Sequence, residues 1–361
     1  MMSRRVGFIG GGFMATVHSR AARAARATLV GIVSSNQKSS ARAADLLGFD
    51  SAYPSAEALL ADDTIDVVHI VTPNSSHFDL ALAAVRHGKH VVCEKPLTTS
   101  TADATVLANA AVEARVTATV PFVYRFHPMV REARERVRAG ETGPLLTIQG
   151  SYLQDWLLES TDDNWRVDET VGGPSRAFAD IGSHLCDLIE FVTDDRIARL
   201  QAVTRTVFDE RSGTPVTTED LAAVLFVTRA GVVGTLLVSQ VSPGRKNRLY
   251  IELCGAEETI EFNQENPETL WLGRRSGSEL LARQSGLSAD ARRLAILPPG
   301  HPLGYQDAFN AFVADTYAAI VGEARDGLPT FGDGLRAVVL TAAVLESART
   351  STWIDTLGVT P

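Results

Sequence analysis

The chain has 361 residues, with 34 basic and 43 acidic side chains and a formal charge of −9 at pH 7. This length favours two domains over one. Hydrophobic residues make up 45% and charged residues 21%, a globular composition that excludes a disordered chain or a fibre. The acidic balance argues against nucleic acid as a partner, and the short apolar runs argue against a membrane span.

The first third of the chain alternates short apolar strands with helices. Strands are predicted over residues 6–10, 29–33, 66–71, 90–93 and 116–121, and helices over 15–27, 40–47, 76–87 and 101–113. The strands are near-continuous apolar runs, as expected for a parallel sheet that is buried on both faces. This alternation predicts an α/β dinucleotide-binding domain with a doubly wound parallel sheet over residues 1–122.

The pattern changes after Phe122. Helices are predicted over residues 128–139, 181–192, 305–322 and 334–347, and strands over 198–208, 218–228, 231–241, 248–254 and 258–262. Short turns between the strands predict a mostly antiparallel sheet, and thus an α+β domain over residues 123–361. The strands from 218 to 262 carry apolar residues on both faces. We therefore expect a homodimer or homotetramer that forms through this sheet.

The three cysteines, Cys93, Cys186 and Cys254, show no spacing typical of a metal site, so no metal is expected. The chain also begins without a signal-peptide pattern, and the expected compartment is the cytoplasm.

A glycine motif follows the first predicted strand and opens a helix. Gly10 and Gly12 begin a G-x-G-x-x-A pattern that continues through Phe13 and Met14 to Ala15. Gly10 permits a tight turn, and Gly12 lets backbone N–H groups approach a pyrophosphate at the helix N-terminus. These residues predict a dinucleotide site.

The end of the second strand indicates which dinucleotide binds. An acidic residue there holds the ribose 2′-hydroxyl of NAD. This chain instead has Ser34 and Ser35, followed by Lys38. Hydroxyls and a lysine accept a 2′-phosphate that a carboxylate would repel, so NADP is favoured, although serine can also serve an NAD ribose.

Two further segments follow strand ends, where ligands bind in open α/β sheets. Thr72, Pro73 and Asn74 are predicted to border the cofactor, although Asn74 can equally cap the next helix. His77 is assigned to this cofactor-binding segment, while its pattern alone is that of an exposed helix residue.

Glu94 and Lys95 follow the strand over 90–93, where the nicotinamide is expected. A lysine at this place can hydrogen-bond a substrate oxygen and favour the alkoxide as hydride moves. Both residues are assigned to cofactor binding, and Lys95 also to catalysis and to substrate binding.

A second candidate centre lies near residue 180. If a helix begins there, Asp180, His184 and Asp187 share one face at i, i+4 and i+7. A carboxylate near a histidine can fix its tautomer and stabilise the imidazolium, as a general base requires. The alternatives are a capping Asp180 with a structural His184, or a metal pair, which is disfavoured because no third ligand has a recognisable spacing.

These motifs together resemble the Gfo/Idh/MocA oxidoreductase family. The resemblance rests on the glycine motif, Thr-Pro-Asn, Glu-Lys-Pro, the Tyr-Arg-Phe segment at 124–126 and Asp-Ile-Gly-x-His at 180–184, and it covers nearly the whole chain. It implies a Rossmann domain and a C-terminal domain with a large open sheet that commonly forms oligomer contacts. It also implies that Lys95, Asp180 and His184 surround the nicotinamide.

The resemblance extends to further residues and to the reaction. It implies that Trp165 and Arg166 contact the cofactor. The substrate-binding residues that it indicates are Lys95, Asp180 and His184, together with Tyr124, Arg125, His301 and Tyr305. The implied activity is hydride transfer between NADP or NAD and a sugar, cyclitol or related polyol or keto-sugar. Two alternatives remain open, namely a redox-assisted lyase or glycosidase that recycles NAD, and a non-catalytic regulator that senses the dinucleotide.

Overall fold

The computed structural model describes residues 3–358, and these form two compact units. The first contains the described residues up to Val123 together with Tyr305–Arg336, and the second contains Tyr124–Gly304 together with those from Ala337 onward. The outermost ends of the two predicted domains, residues 1–2 and 359–361, lie outside the described residues.

Six parallel strands form the sheet of the first unit. They are β1 (Arg5–Ile9), β2 (Thr28–Val33), β3 (Ser51–Ala52), β4 (Val67–Ile70), β5 (His90–Cys93) and β6 (Ala118–Thr119). Their order across the sheet is β3-β2-β1-β4-β5-β6, in which successive strands are added on one side of β1 up to β3 and on its other side from β4 onward. This order is the Rossmann arrangement, so the predicted class of the first domain is confirmed.

Five α-helices accompany this sheet within residues 3–122. They are α1 (Phe13–Ala24), α2 (Gln37–Leu47), α3 (Ala56–Leu60), α4 (His77–Arg86) and α5 (Thr101–Glu113). Polar residues define where several of them begin. The Ser100 hydroxyl accepts a hydrogen bond from the N–H of Asp103 at the start of α5, which satisfies one of the amide groups that a helix leaves unpaired.

A nine-stranded sheet dominates the second unit, in the order β16-β15-β14-β13-β7-β12-β11-β8-β17. The strands are β7 (Leu145–Leu153), β8 (Ile197–Arg205), β11 (Leu221–Thr228), β12 (Val233–Ser239), β13 (Arg248–Gly255), β14 (Thr259–Asn263), β15 (Thr269–Arg274), β16 (Gly277–Ala282) and β17 (Ile354–Asp355), with a separate hairpin of β9 (Glu210–Arg211) and β10 (Thr214–Pro215). Within the described residues its pairs are antiparallel except β7 with β12, which are parallel. The prediction of a mostly antiparallel sheet is confirmed.

One face of this sheet is covered and the other is open. This unit contains the helices α6 (Pro128–Arg138), α7 (Glu169–Gly172), α8 (Ser183–Thr193) and α9 (Ala289–Leu294), and both α6 and α8 pack against the strands. Side chains alternate along β12, where Leu236 is buried and Leu237 exposed. The register places six exposed apolar residues on one common face, namely Val203, Leu225, Val233, Leu237, Trp271 and Leu280.

The last two helices are α10 (Tyr305–Ala319) and α11 (Phe331–Thr350). Helix α10 packs against α1 in the first unit, and the division between the units falls within α11. Residues 305–336, which were predicted to belong to the second domain, make contacts that group them with the first unit. Across residues 3–358, no helix combines the length and apolar character that crossing a bilayer demands.

Candidate active site

The turn between β1 and α1 has a conformation that requires glycine. Gly10 has φ of +111°, and a Cβ there would lie 2.5 Å from the carbonyl oxygen of Val71. The N–H of Gly10 donates to the carbonyl of Val33, so the turn is held against the ends of its neighbouring strands. Any side chain at this position would displace backbone.

The start of α1 can accommodate an anionic group. Gly12 is the N-cap residue of α1 and makes no side-chain cap, and a Cβ placed on it would meet no atom within 4 Å. The Phe13 side chain is 77% exposed. An uncapped helix N-terminus with open space before it suits a pyrophosphate, because its backbone N–H groups and the helix dipole both favour negative charge. These residues therefore fit a dinucleotide.

The segment after β2 lies beside the glycine turn. The Ser34 hydroxyl oxygen is 3.0 Å from the position of a Cβ on Gly11, and the Ser34 N–H donates to Ser40 Oγ over 2.9 Å. Ser35 and Lys38 are exposed. The structure thus brings the predicted ribose segment and the predicted pyrophosphate segment together.

The segment after β4 forms a single 3₁₀ turn over Asn74–Ser76. Asn74 is buried and Pro73 is exposed, while the Ser76 hydroxyl donates to Thr72 Oγ1 over 2.7 Å. Ser76, rather than Asn74, is the N-cap residue of α4. Ser76 makes no side-chain cap hydrogen bond there, and the two roles predicted for Asn74 stay predictions.

His77 is fully buried, so the expectation of an exposed helix residue is wrong. Its Nδ1 lies 2.8 Å from the carbonyl oxygen of Pro96, and its Nε2 lies 2.9 Å from that of Thr72. Burial lowers the pKa of His77. The ring thereby connects the loops after β4 and β5, a role that its isolated place in the sequence does not indicate.

Glu94 directly follows Cys93, the last residue of β5, and its backbone still bonds to the neighbouring strand β4. Its N–H donates to the carbonyl of Ile70, and its Oε2 accepts the N–H of Lys95 over 3.1 Å. Glu94 is buried, whereas Lys95 is partly exposed. The lysine assigned to catalysis therefore sits at the end of a buried parallel strand, where ligands bind in such sheets.

Asp180 lies in a π-helical turn, Phe178–Gly182, that leads directly into α8. His184 is the second residue of α8. A π turn holds more residues than an α turn, so the predicted α-helical i, i+4 and i+7 face does not describe this segment. Such turns are frequent at functional sites.

The carboxylate of Asp180 is held from two directions. Gln240 donates from Nε2 to its Oδ2 over 2.9 Å, and Arg166 Nε lies 3.3 Å from its Oδ1. The Arg166 guanidinium stacks over the Trp165 ring at 4.3 Å. The structure thus joins the predicted Trp-Arg pair to the predicted catalytic aspartate. Gln240 is fully buried and was not found from the sequence, where no motif marks it.

Glu219 anchors the chain just before Asp180. Its Oε1 accepts hydrogen bonds from the Ser175 hydroxyl over 2.7 Å and from the N–H groups of Arg176 and Phe178 over 3.1 and 2.8 Å. Burial raises the pKa of Glu219, although these donors act in the opposite direction. The sequence carried no sign of this residue, which lies more than 30 positions away.

His184 packs against Tyr124, with ring centroids 5.1 Å apart in an edge-to-face arrangement. The Tyr124 hydroxyl takes part in a set of hydrogen bonds with Tyr152 and Asn247. Tyr152 donates to Asn247 Oδ1 over 2.7 Å, Asn247 Nδ2 donates to Tyr124 over 3.2 Å, and the Tyr124 proton is left to bond Tyr152. Burial raises the pKa of Tyr124.

The remaining predicted residues divide between the two units. Asp187 forms an ion pair with Arg125. His301 is exposed, and its carbonyl accepts a hydrogen bond from Arg283 over 2.7 Å within the second unit. Tyr305 begins α10 in the first unit.

Comparison with known proteins identifies the class of enzyme. Residues 4–122 match the model of an oxidoreductase family with an NAD-binding Rossmann fold, and residues 130–261 match the Gfo/Idh/MocA C-terminal domain. Levoglucosan dehydrogenase of Pseudarthrobacter phenanthrenivorans is 30% identical over 397 aligned positions, which cover 98% of each chain.

Two further similarities concern the cofactor. A solved structure of levoglucosan dehydrogenase in complex with NADH and levoglucosan has a TM-score of 0.93 at 28% identity, covering 99% of this chain and 100% of that one. D-xylose 1-dehydrogenase (NADP⁺) 2 of Haloferax volcanii is 36% identical over 176 residues, 48% of this chain and 53% of that protein.

The glycine turn, the Rossmann sheet and these similarities define an NAD(P)-dependent oxidoreductase. The chain belongs to the Gfo/Idh/MocA oxidoreductase family. The family, the fold class and the dependence on a nicotinamide dinucleotide that the sequence predicts are therefore confirmed.

Proposed function

We propose that this enzyme oxidises a hydroxyl-bearing carbon of a sugar, cyclitol or related polyol. The observation that carries the proposal is the similarity to levoglucosan dehydrogenase along 98% of both chains. When bound, the nicotinamide supplies the acceptor for the hydride that leaves this carbon. The chain itself must bind the sugar, stabilise its oxygen and take the hydroxyl proton.

Lys95 is the residue that we assign to the substrate oxygen. An ammonium group donates hydrogen bonds and stabilises the negative charge that develops on an alkoxide. The Glu94–Lys95 segment supports this role, because its backbone continues a buried strand and gives the lysine a defined origin.

His184 is the residue that we assign to proton transfer. A neutral imidazole is suited to accept a proton near pH 7. The competing candidate, Tyr124, has its own proton directed to Tyr152 and a pKa raised by burial. A tyrosine in that state is a poor base, which favours the histidine.

Asp180 supports the histidine through its charge. We propose that its carboxylate favours the imidazolium formed when His184 takes the proton. Arg166 and Gln240, which hold the two carboxylate oxygens, keep it in one orientation.

NADP is the dinucleotide that we propose as preferred. The segment from Ser34 to Lys38 contains no carboxylate, and it leads into the N-terminus of α2, where amide groups favour a phosphate. The Haloferax relative is named as NADP-dependent, whereas levoglucosan dehydrogenase has been solved with NADH. The residues at 34–38 of this chain decide between the two.

We also propose a homodimer or homotetramer in the cytoplasm. The open face of the nine-stranded sheet carries the six exposed apolar side chains described above, which a second copy of the chain would cover.

The test is an assay of the purified protein with NAD⁺ and NADP⁺ in parallel. Levoglucosan, D-glucose, D-xylose and myo-inositol are offered, and absorbance of the reduced dinucleotide is followed. Stoichiometric release of reduced dinucleotide with at least one of them is expected. Cleavage or elimination of a sugar without release of reduced dinucleotide would overturn the proposal in favour of a lyase or glycosidase.

A further inference from the structure

Two histidines that the proposed reaction does not use are enclosed within the first unit. His18 lies on α1 and His69 on β4, and both are fully buried. The Phe8 ring stacks on His69 at 4.5 Å, and the Phe309 ring lies 4.6 Å from that of His18. Since the surroundings are aromatic, each ring nitrogen needs a partner within the protein.

The partners form a continuous chain of hydrogen bonds. The Tyr317 hydroxyl lies 2.8 Å from His69 Nε2, and His69 Nδ1 lies 2.9 Å from His18 Nδ1. His18 Nε2 lies 2.9 Å from Oε1 of Glu94, whose Oε2 accepts the N–H of Lys95. This series of hydrogen bonds therefore begins at Tyr317 on α10 and ends at the backbone of Lys95.

The direction of these hydrogen bonds follows from the ionisation states. Burial lowers the pKa of His69 well below its usual value, so this ring is neutral and carries one N–H. Burial raises the pKa of Tyr317, which keeps its proton. With Glu94 Oε1 as the acceptor from His18 Nε2, one arrangement satisfies every contact. Tyr317 donates to His69 Nε2, and each ring then donates to the next acceptor until His18 Nε2–H reaches the carboxylate.

We propose that His18 and Glu94 are positioning residues for Lys95. Both oxygens of Glu94 are engaged, one by the imidazole and the other by the Lys95 N–H. The imidazole cannot rotate freely because His69 holds its Nδ1. The carboxylate thus has a fixed orientation, and it fixes the backbone from which the lysine side chain extends. This inference rests on the proposed role of Lys95 at the substrate oxygen.

Hydrogen exchange at the Lys95 amide tests the positioning without any substrate. His18→Met removes the donor to Glu94 while retaining an apolar side chain, whereas His18→Gln places an amide NH₂ where the imidazole N–H was. We expect exchange of this amide to be roughly tenfold faster in His18→Met, the loss of one hydrogen bond to a charged group, and close to wild type in His18→Gln. The amide of Val92 within β5 serves as the internal control.

Glu94→Gln offers a second variant of nearly the same shape, should His18→Met not fold. His18 and Lys95 meet different oxygens of the Glu94 carboxylate, and the amide replaces one of these acceptors with an NH₂ donor. When the amide oxygen stays with His18, the Lys95 N–H loses its acceptor, so this amide is again expected to exchange faster. The positioning role is overturned if that amide exchanges at the wild-type rate in the folded variants, or if His18→Gln behaves like His18→Met.

Kinetics with levoglucosan as the probe separate positioning from general damage. A misplacement of a catalytic group by about 1 Å can cost roughly a hundredfold in rate, so kcat for His18→Met is expected to fall by about ten- to a hundredfold. His18→Gln should recover most of it. In a Lys95→Met background, His18→Met should produce no further loss, because its effect passes through the lysine.

The inference is overturned if His18→Met lowers kcat in the Lys95→Met background by as much as it does in the wild type. Such a result would indicate damage that is unrelated to Lys95. Wild-type turnover in Lys95→Met would instead refute the proposed role of the lysine. The exchange result at its amide would still decide whether His18 and Glu94 hold the backbone.

Discussion

Arg125 and Asp187 form a two-point ion pair inside the second unit. Arg125 Nε donates to Asp187 Oδ2 over 2.8 Å, and its terminal nitrogen contacts Oδ1. Both side chains are less than a tenth exposed, and the guanidinium also lies over the Phe191 ring at 5.0 Å. This pair joins the start of the second unit to the middle of α8.

We expect Asp187→Asn to lower the free energy of unfolding by about 3–5 kcal/mol, because it leaves a buried guanidinium without its counter-charge. Urea denaturation measures the change. Glu346→Gln removes one partner of an exposed pair with Arg349 and should leave the midpoint unchanged. Equal midpoints for the two variants would contradict a structural role for the buried pair.

His184→Ala should lower kcat by roughly 10²–10⁴, the usual contribution of a positioned acid or base. The affinity for reduced dinucleotide should change little, because the glycine turn that fits the pyrophosphate lies in the other unit. Steady-state kinetics over pH and fluorescence titration of NADPH provide the two measurements. His184→Asn should not restore turnover. If His184→Ala kept near-normal turnover and the pH dependence of kcat seen in the wild type, another residue would be the base.

Ser34→Asp should shift preference from NADP toward NAD. A carboxylate about 4 Å from a 2′-phosphate costs on the order of 1–4 kcal/mol, depending on solvent screening, so NADPH affinity should fall roughly tenfold or more. Ser34→Asn is the control, because asparagine has nearly the same shape as aspartate but carries no charge. Tight binding of NADH by the wild type with none of NADPH would be incompatible with the proposed preference.

Charged substitutions on the open sheet face should dissociate the oligomer. We expect light scattering to give a dimer or tetramer for the wild type at micromolar concentration, and a monomer for a Leu225→Glu, Leu237→Glu double variant. Val112→Glu is the control, because Val112 is also apolar, is more exposed than either leucine and lies on α5. A wild-type monomer would refute the predicted interface.

His127 should make the protein less stable in mild acid. Burial lowers its pKa to about 4, whereas an unfolded histidine titrates near 6.5. Between these values the unfolded chain binds the proton and the folded chain does not, so stability is lost as pH falls through this window. At pH 4.5 the loss is about 2–3 kcal/mol relative to pH 7.

The corresponding experiment compares unfolding free energies at pH 7 and pH 4.5 for the wild type and for His127→Phe. Between pH 7 and pH 4.5, the unfolding free energy of His127→Phe should fall by about 2–3 kcal/mol less than that of the wild type. His87→Phe, at an exposed position, serves as control. Identical losses in the wild type and His127→Phe would rule out His127 as a contributor to the acid sensitivity.

The elements that the sequence located best are those whose pattern is local. β5 and α5 occur at the predicted bounds, because a buried parallel strand is a continuous apolar run and a capped helix has a defined first residue. β7 was missed. One of its faces is open and polar, and it contains Gly150, so its run of residues resembles a loop.

The glycine turn and the residues at strand ends were likewise recognisable, since each is a short motif with a fixed place in a Rossmann sheet. The side chains that hold the candidate catalytic residues in place were not recognisable from the sequence. Gln240 reaches Asp180 from 60 positions away, and His18 reaches Glu94 from 76. Such contacts depend on which strands and helices become neighbours, and neighbours in the fold are decided by packing rather than by local pattern. The sequence alone determined the class of the enzyme and its cofactor-binding motif, whereas the tertiary structure decided how each reactive side chain is held.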